Sequence, residues 1–283
     1  MLESLPDLTI DATRVAALAL GEDGVVDLTT AVTVRKPVPG EAALEARTPA
    51  VLSGLLYAET TARVAGCSVT WAAHVGDAVE PGVIGRVRGD LAAILRAERA
   101  MLNILQRASG IATATRAFVR AVEGTRCRVL HTRKTAPGLR LLDVAAVVAG
   151  GGAIHRLDLA RTVMIKDNHW RALARENRSV AEALVAARAR GAIACQVEVE
   201  SEDQVIEASR AGADRLLVDN QTPGIVARWS ELARALRPLI TIEATGGIVI
   251  TNARAYAEAG ADFISVGALT HSVVAADISL ELV

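Results

Sequence analysis

Arg133 and Lys134 stand side by side in His131-Thr132-Arg133-Lys134-Thr135-Ala136-Pro137-Gly138, directly after the apolar run Arg128-Val129-Leu130. A guanidinium beside an ammonium offers a carboxylate or phosphate both a planar two-pronged grip and a mobile point charge. His155-Arg156 and Lys166 follow, so five cationic or potentially cationic groups fall near the ends of successive apolar runs. Such crowding repels itself unless a multiply charged anion sits among them. A solvated pair on a surface loop is the alternative. Lysine scarcity weighs against it: Lys36, Lys134 and Lys166 are the only lysines among 31 basic residues, and two of the three lie in this set. Arg already fills the generic surface roles, and Lys36, before Pro37, reads as a surface residue.

Thr245-Gly246-Gly247-Ile248 is a second group of chemical interest. Paired glycines after a strand let backbone N–H groups approach a ligand, and a helix start just beyond favours negative charge. Gly267-Ala268 offers a similar edge one apolar run later. Glu198 and Glu200 alternate with Val197 and Val199, which places both on one strand face, and Asp219 closes the next run. Carboxylates opposite a cationic wall suit sugar hydroxyls, a water-held Mg2+ or developing positive charge; pairing with the basic residues is the structural alternative. His271 reads as a ligand or a helix cap, His169 as the end of a turn, and His74 has no motif around it. There is no nucleophile elbow, no Ser/His/Asp order and no GxxxxGK[ST].

The elements that must position these residues follow from an internal echo. Ala211-Gly212-Ala213-Asp214-Arg215-Leu216-Leu217-Val218 recurs as Ala259-Gly260-Ala261-Asp262-Phe263-Ile264-Ser265-Val266, 48 residues later. Two βα units fit that gap, with a strand from Leu239 to Glu243 between the copies and another from Ile193 to Glu200 before them. Repeated βα units give an open doubly wound sheet or a (β/α) barrel. Lys166, Asp219, Glu243 and Gly267 each end an apolar run, and barrel enzymes collect catalytic groups at strand C-termini, so the barrel is favoured. Earlier residues read differently: Val69 to Val87, with the Gly76–Gly85 turn region, suggests antiparallel strands. Leu91 to Gly110 reads as an amphipathic helix. Pro137 suits the first turn of an Ala/Leu/Val helix ending near Gly150. The Gly/Pro turn looks like half of a biotinyl or lipoyl hairpin, but no Lys occurs between residues 37 and 133 to accept a carrier group.

Composition narrows the function. The hydrophobic share is 51%, and 31 basic against 32 acidic residues leave a net charge of −1. No global field attracts nucleic acid or an anionic membrane, and the scattered aromatics make no base-stacking platform. Cys67, Cys127 and Cys195 have no zinc spacing and read as small buried side chains. Met1 to Asp11 carries no basic region before an apolar core, and no run is long enough to cross a membrane. A cytoplasmic protein is expected.

Taken together, Glu98-Arg99-Ala100-Met101-Leu102-Asn103, Ser109-Gly110-Ile111-Ala112-Thr113, Thr132-Arg133-Lys134-Thr135, His155-Arg156, Lys166-Asp167-Asn168-His169, Glu198-Val199-Glu200, Asp219-Asn220, Glu243-Ala244-Thr245-Gly246-Gly247 and Ser265-Val266-Gly267-Ala268-Leu269-Thr270-His271 closely resemble the quinolinate phosphoribosyltransferase family, also called nicotinate-nucleotide pyrophosphorylase (carboxylating). Asp27-Leu28-Thr29-Thr30 is similar to the family's Asp-x-Thr-Thr. The resemblance implies an N-terminal α+β sandwich domain with an antiparallel sheet, residues 1–110, and an incomplete TIM-like (β/α) barrel, residues 111–271, with residues 272–283 packing back on the first. It implies conversion of quinolinate and phosphoribosyl pyrophosphate, with Mg2+, to nicotinate mononucleotide, pyrophosphate and CO2. Arg133, His155, Arg156 and Lys166 would bind the quinolinate carboxylates, and Lys134 would be shared with the phosphoribosyl substrate. Glu198 and Asp219 would face the ribose and Mg2+, while Thr245, Gly246, Gly247, Gly267 and His271 would hold phosphate groups. Arg99 would enter from a neighbouring subunit, giving a homodimer or a higher oligomer built from it.

Three positions depart from the family's pattern: His131 stands where Asp is common, Ile154 where Asn or Ser is, and Thr245 where Ser is. Thr245 keeps the hydroxyl. Two rival readings remain at this level: a pyrophosphorylase-like protein of molybdenum-transport gene clusters, against which the intact Lys166-Asp167-Asn168-His169 argues, and a barrel Schiff-base aldolase using Lys166.

Overall fold

The structure, a computed structural model, describes residues 4–283, so the first residues of the Met1 to Asp11 stretch lie outside the described residues. The strands are Pro39–Ala46 (β1), Ala50–Val51 (β2), Ser68–Trp71 (β3), Ala78–Val79 (β4), Gly82–Asp90 (β5), Arg128–Leu130 (β6), Thr162–Ile165 (β7), Ala194–Val199 (β8), Arg215–Asp219 (β9), Thr241–Thr245 (β10), Phe263–Ser265 (β11) and Ile278–Leu282 (β12). Two compact units divide them.

One unit comprises Ala117–Arg133 and His155–Gly267. Its six strands are parallel in the order β6-β11-β10-β9-β8-β7. β6 and β7 are the two edges, so this TIM-like barrel is not closed among the described residues; the segment between those strands, residues 134–154, belongs to the other unit. Strand alternation explains the layers. Val197, Leu216, Val218, Ile242, Ala244 and Ile264 are buried, and each Val, Leu or Ile among them contributes about 1.5–3 kcal/mol when fully buried. The opposite face is far more polar, carrying Gln196 and Glu198 on β8, Arg215 and Asp219 on β9, Thr241, Glu243 and Thr245 on β10 and Ser265 on β11. Helices Val180–Ala189, Glu202–Arg210 and Pro223–Leu236 start on Ser179, Ser201 and Thr222, whose side-chain oxygens accept N–H bonds from Glu182, Gln204 and Ile225. Each such cap is worth about 1 kcal/mol.

The internal echo has a structural cause. Asp214 accepts from the Cys195 N–H at 2.8 Å and pairs with Arg188 at 3.0 Å. Asp262 does the same one repeat on, accepting from the Ile242 N–H at 2.8 Å and pairing with Arg234 at 2.8 Å. Each Asp thus satisfies a donor at the start of the neighbouring strand while anchoring a helix, and Gly212 and Gly260 supply the left-handed turn before it (φ 89° and 90°).

The second unit comprises Ser4–Arg116, Lys134–Ile154 and Ala268–Val283. Its four-stranded antiparallel sheet has the order β12-β1-β5-β3, with the C-terminal strand pairing Leu280 to Leu44. Leu44, Ile84, Val87, Ile94, Met101 and Leu105 form its core with helix Leu55–Val64. Asp27 caps helix Leu28–Thr33 by accepting from Thr30 N–H at 3.0 Å, which accounts for the Asp-x-Thr-Thr pattern. Three expected boundaries move. Helix Leu91–Ala121 runs past Gly110, because that glycine permits a close approach: a Cβ there would collide with the Val274 carbonyl. Helix Arg140–Ala149 begins beyond Pro137, which instead sits in the preceding turn. β10 extends to Thr245, so Glu243 is mid-strand and buried rather than at a strand end. No helix among the described residues is long and apolar enough to cross a membrane.

Candidate active site

Because the six strands are parallel, everything just past their C-termini lies along one edge. That edge gathers Arg133 after β6, Lys166 after β7, Glu198 on β8, Asp219 on β9, Thr245 with Gly246-Gly247 on and after β10, and Gly267 after β11. In register, Thr245 opposes Asp219 and Ser265 opposes Leu130. His155 and Arg156 belong to the same unit and are buried, and Arg156 Nη1 donates to the Thr162 carbonyl at 3.3 Å. Arg99, Lys134 and His271 belong to the antiparallel unit, each with an exposed side chain.

Two members of the cationic wall already have carboxylate partners, the structural alternative the sequence left open. Lys166 Nζ forms an ion pair with Glu198; the Lys166 side chain is 42% exposed and that of Glu198 only 7%. Pairing is thus the fate of one of the two glutamates. Glu200 lies past the end of β8, exposed, and its N–H donates to Gln204. His155 Nε2 lies 3.1 Å from Glu243 Oε2, which also accepts from Arg215 Nη1 at 2.9 Å. Ser265 Oγ donates to the second Glu243 oxygen. Burial pushes the Glu243 carboxyl up, but His155, Arg215 and the Ser265 hydroxyl outweigh it and hold the group down at about 2. Arg215 lies over the Phe263 ring, 3.9 Å from its centre. These two residues occupy equivalent positions of the internal echo. Arg133 differs from the paired cations: its Nε is buried with no protein partner.

His131 has a defined role. Its ring is fully buried, and Nε2 accepts the His155 backbone N–H at 3.1 Å. The proton therefore sits on Nδ1, which lies 3.0 Å from the Thr132 carbonyl. A neutral imidazole thus links the Thr132-Arg133 segment to His155. Ile154 is buried as an apolar side chain.

Around Lys166, His169 Nδ1 accepts the Lys166 N–H at 3.0 Å at the start of helix Asp167–Arg175, and Trp170 Nε1 donates to the Glu198 carbonyl at 2.9 Å. His169 is thus a helix-start cap. Beyond β10, Gly246 and Gly247 are left-handed (φ 79° and 61°), and a Cβ on Gly246 would collide with the Asn220 side chain. Asn220 is itself left-handed (φ 52°), donates its N–H to the Thr245 carbonyl at 2.9 Å and its side-chain amide to Asp219 at 2.7 Å. Asn252 accepts from Val249 N–H and donates to the Gly247 carbonyl, at the start of helix Ile250–Glu258, which only Ile248 and Val249 separate from the glycines. His271 Nδ1 lies 2.7 Å from Ser272 Oγ.

Sequence patterning missed Arg215, Ser265, Trp170 and Asn220, and took Glu243 as a rim group. The signal for Arg215 and Ser265 was present: period-two alternation puts them on the face of Glu243.

The chain matches the family models described as "Quinolinate phosphoribosyl transferase, N-terminal domain" over residues 27–109 and "Quinolinate phosphoribosyl transferase, C-terminal domain" over residues 111–281. It is 39% identical over 291 residues to the nicotinate-nucleotide pyrophosphorylase [carboxylating] of Mycobacterium leprae, covering 98% of this chain and 100% of the relative. It is 43% identical over 210 residues to the probable nicotinate-nucleotide pyrophosphorylase [carboxylating] of Bacillus subtilis, covering 73% and 70%. The solved nicotinate-nucleotide pyrophosphorylase of Francisella tularensis superposes with a TM-score of 0.90 at 30% identity, over 99% of this chain and 98% of the other.

Proposed function

Because the chain belongs to the quinolinate phosphoribosyltransferase family, we propose that the sheet edge is where quinolinate and phosphoribosyl pyrophosphate meet to give nicotinate mononucleotide, pyrophosphate and CO2 in NAD biosynthesis. The observation that carries this reading is Arg133 Nε, a buried donor with no protein partner at a strand end. Buried donors are ordinarily satisfied, so one left open at such an edge suits an anionic ligand. Arg133, His155, Arg156 and Lys166 would take the dicarboxylate, Lys134 would serve both substrates, and Thr245, Gly246, Gly247, Gly267 and His271 would hold phosphate groups. The left-handed glycines before a helix start fit that last role.

The ring nitrogen attacks the ribose C1 as pyrophosphate leaves, through an oxocarbenium-like state that Glu198 and Asp219 stabilise as nearby carboxylates. Loss of CO2 then leaves an electron pair on the ring carbon beside the new pyridinium nitrogen, and that carbon takes up a proton from solvent to give nicotinate mononucleotide. Neither step needs a covalent enzyme intermediate; orientation and fixed charges suffice. The Lys166–Glu198 pair gives that lysine a structural partner, and family membership favours this reading over an aldolase.

Mg2+ fits as a shared ligand of substrate and protein. No group of three or more His, Cys, Asp or Glu side chains among the described residues forms a metal cage. Two carboxylates on the adjacent strands β8 and β9, Glu198 and Asp219, suit a Mg2+ held mainly by phosphate oxygens and water. When bound, it would neutralise the charge of the leaving pyrophosphate. The reading extends to a homodimer in which Arg99 of the partner subunit completes the pocket. Arg99 is exposed on helix Leu91–Ala121, and Ile10, Val25 and Leu28 of the same unit expose 74–89% of their surface, as surfaces covered in an assembly do. The three free, buried cysteines suit a reducing cytoplasm.

The test is direct. The purified protein is incubated with quinolinate, phosphoribosyl pyrophosphate and Mg2+, and nicotinate mononucleotide and CO2 are followed, with nicotinate as control substrate. Product from quinolinate but not from nicotinate is expected; none from quinolinate would sink the proposal.

A further inference from the structure

Within the antiparallel unit, one arginine that no substrate-binding role covers touches both segments carrying that unit's anion-binding candidates. Arg107 lies on helix Leu91–Ala121 and grips Asp143 with two parallel bonds, Nε to Oδ1 and Nη2 to Oδ2, both 2.8 Å. Asp143, on helix Arg140–Ala149, is fully buried. Its Oδ2 also accepts the Ala136 N–H at 3.1 Å, two residues after Lys134. Arg107 Nη2 further donates to the Thr270 carbonyl at 3.0 Å, and Thr270 Oγ1 donates to the Lys134 carbonyl at 2.9 Å. Thr270 directly precedes His271.

We infer that Arg107, acting with Asp143, is a positioning residue that holds the Lys134 turn and the His271 turn in one fixed relation. The inference rests on the proposed function, in which both residues contact the phosphoribosyl substrate. The physical case is geometric. A lysine is a flexible point charge, so its usefulness depends on where its backbone is held. Here the backbone on both sides of the Lys134–Ala136 span is bonded to groups that a single guanidinium organises. The planar fork supplies three directed bonds at once, which a lysine ammonium cannot reproduce on the same partners. A misplacement of about 1 Å far from the reacting atoms is enough to cost roughly 100-fold in rate.

The experiment compares Arg107→Lys and Arg107→Met in the wild-type and Lys134→Ala backgrounds, with turnover and pyrophosphate affinity by calorimetry measured on each protein. Arg107→Met leaves the buried Asp143 carboxylate without its partner, so the Arg107→Met/Asp143→Asn pair, which removes both charges, is measured alongside. We expect kcat to fall roughly 100-fold in all three variants and pyrophosphate to bind more weakly. In the Lys134→Ala background the same changes cost clearly less, because a residue acting through both turns then has only the His271 turn left to position. The same fold-loss in both backgrounds, or full activity in Arg107→Lys, overturns the inference. A wild-type protein that does not turn over quinolinate refutes the proposed function instead. The pyrophosphate series then still decides: affinities equal across wild type and variants, or no binding by wild type, overturn the positioning role.

Discussion

Glu243 is ionised although only 1% exposed, because His155, Arg215 and Ser265 supply what water would. Its carboxyl sits at about 2 against an ordinary 4.5, so the unfolded chain takes up that proton first as pH falls. The sign follows: the stabilisation is complete above pH 4.5 and is lost as pH drops towards 2. Denaturant titrations across that window should show wild type losing a few kcal/mol that Glu243→Gln does not lose. At neutral pH the same variant should be about 3–5 kcal/mol less stable, since Arg215 is left buried without its counter-charge. Lys166 is different, being partly exposed. Lys166→Ala should fold, leave Glu198 without its cation, and lower kcat by roughly 100- to 1000-fold, as removal of a preorganised charge does; a wild-type rate would remove Lys166 from the site. For His131 the expectation is structural first. His131→Leu leaves the His155 N–H without its acceptor and should cost about 1–3 kcal/mol in a thermal or chemical melt.

At the scale of elements, the proposed function assigns phosphate groups to the turn between β10 and helix Ile250–Glu258. Gly246 and Gly247 both need left-handed backbone, but only Gly246 is also crowded, by Asn220. Gly247→Ala should therefore cost about 1–2 kcal/mol from backbone strain alone. Gly246→Ala should cost more and raise KM for phosphoribosyl pyrophosphate. Asn220→Ala should recover part of the Gly246→Ala stability loss, and failure to do so in denaturation curves would mean that crowding is not the cause. Elsewhere, elements were legible wherever periodicity was strong. Strands β8 and β9 fall within a residue or two of the expected runs, because each is an apolar run that helix-capping residues or glycines terminate. Helix Leu91–Ala121 was under-read, since Gly110 looks like a stop until Val274 is seen against it.

At the scale of the whole molecule, the proposed homodimer with a pocket completed across its interface predicts complementation. Arg99→Ala and Lys166→Ala proteins, each inactive alone, should regain partial activity after their subunits are mixed, because a mixed dimer contains one pocket with neither change. No recovery, with exchange verified by mass, would place Arg99 outside the pocket. Much of the edge itself was determined by sequence: parallel βα units put the ends of apolar runs along one line, so Arg133, Lys166, Asp219 and the Thr245-Gly246-Gly247 turn could be placed there from pattern alone. What only the tertiary structure decided is which charges are already answered. Lys166 meets Glu198 across 32 residues of chain, Arg107 meets Asp143 across 36, and His155 meets Glu243 across 88. Alternation fixes the face a side chain takes and its height along a strand. It carries no information about which group arrives opposite from a distant strand or helix, because that depends on sheet order and on how the elements pack.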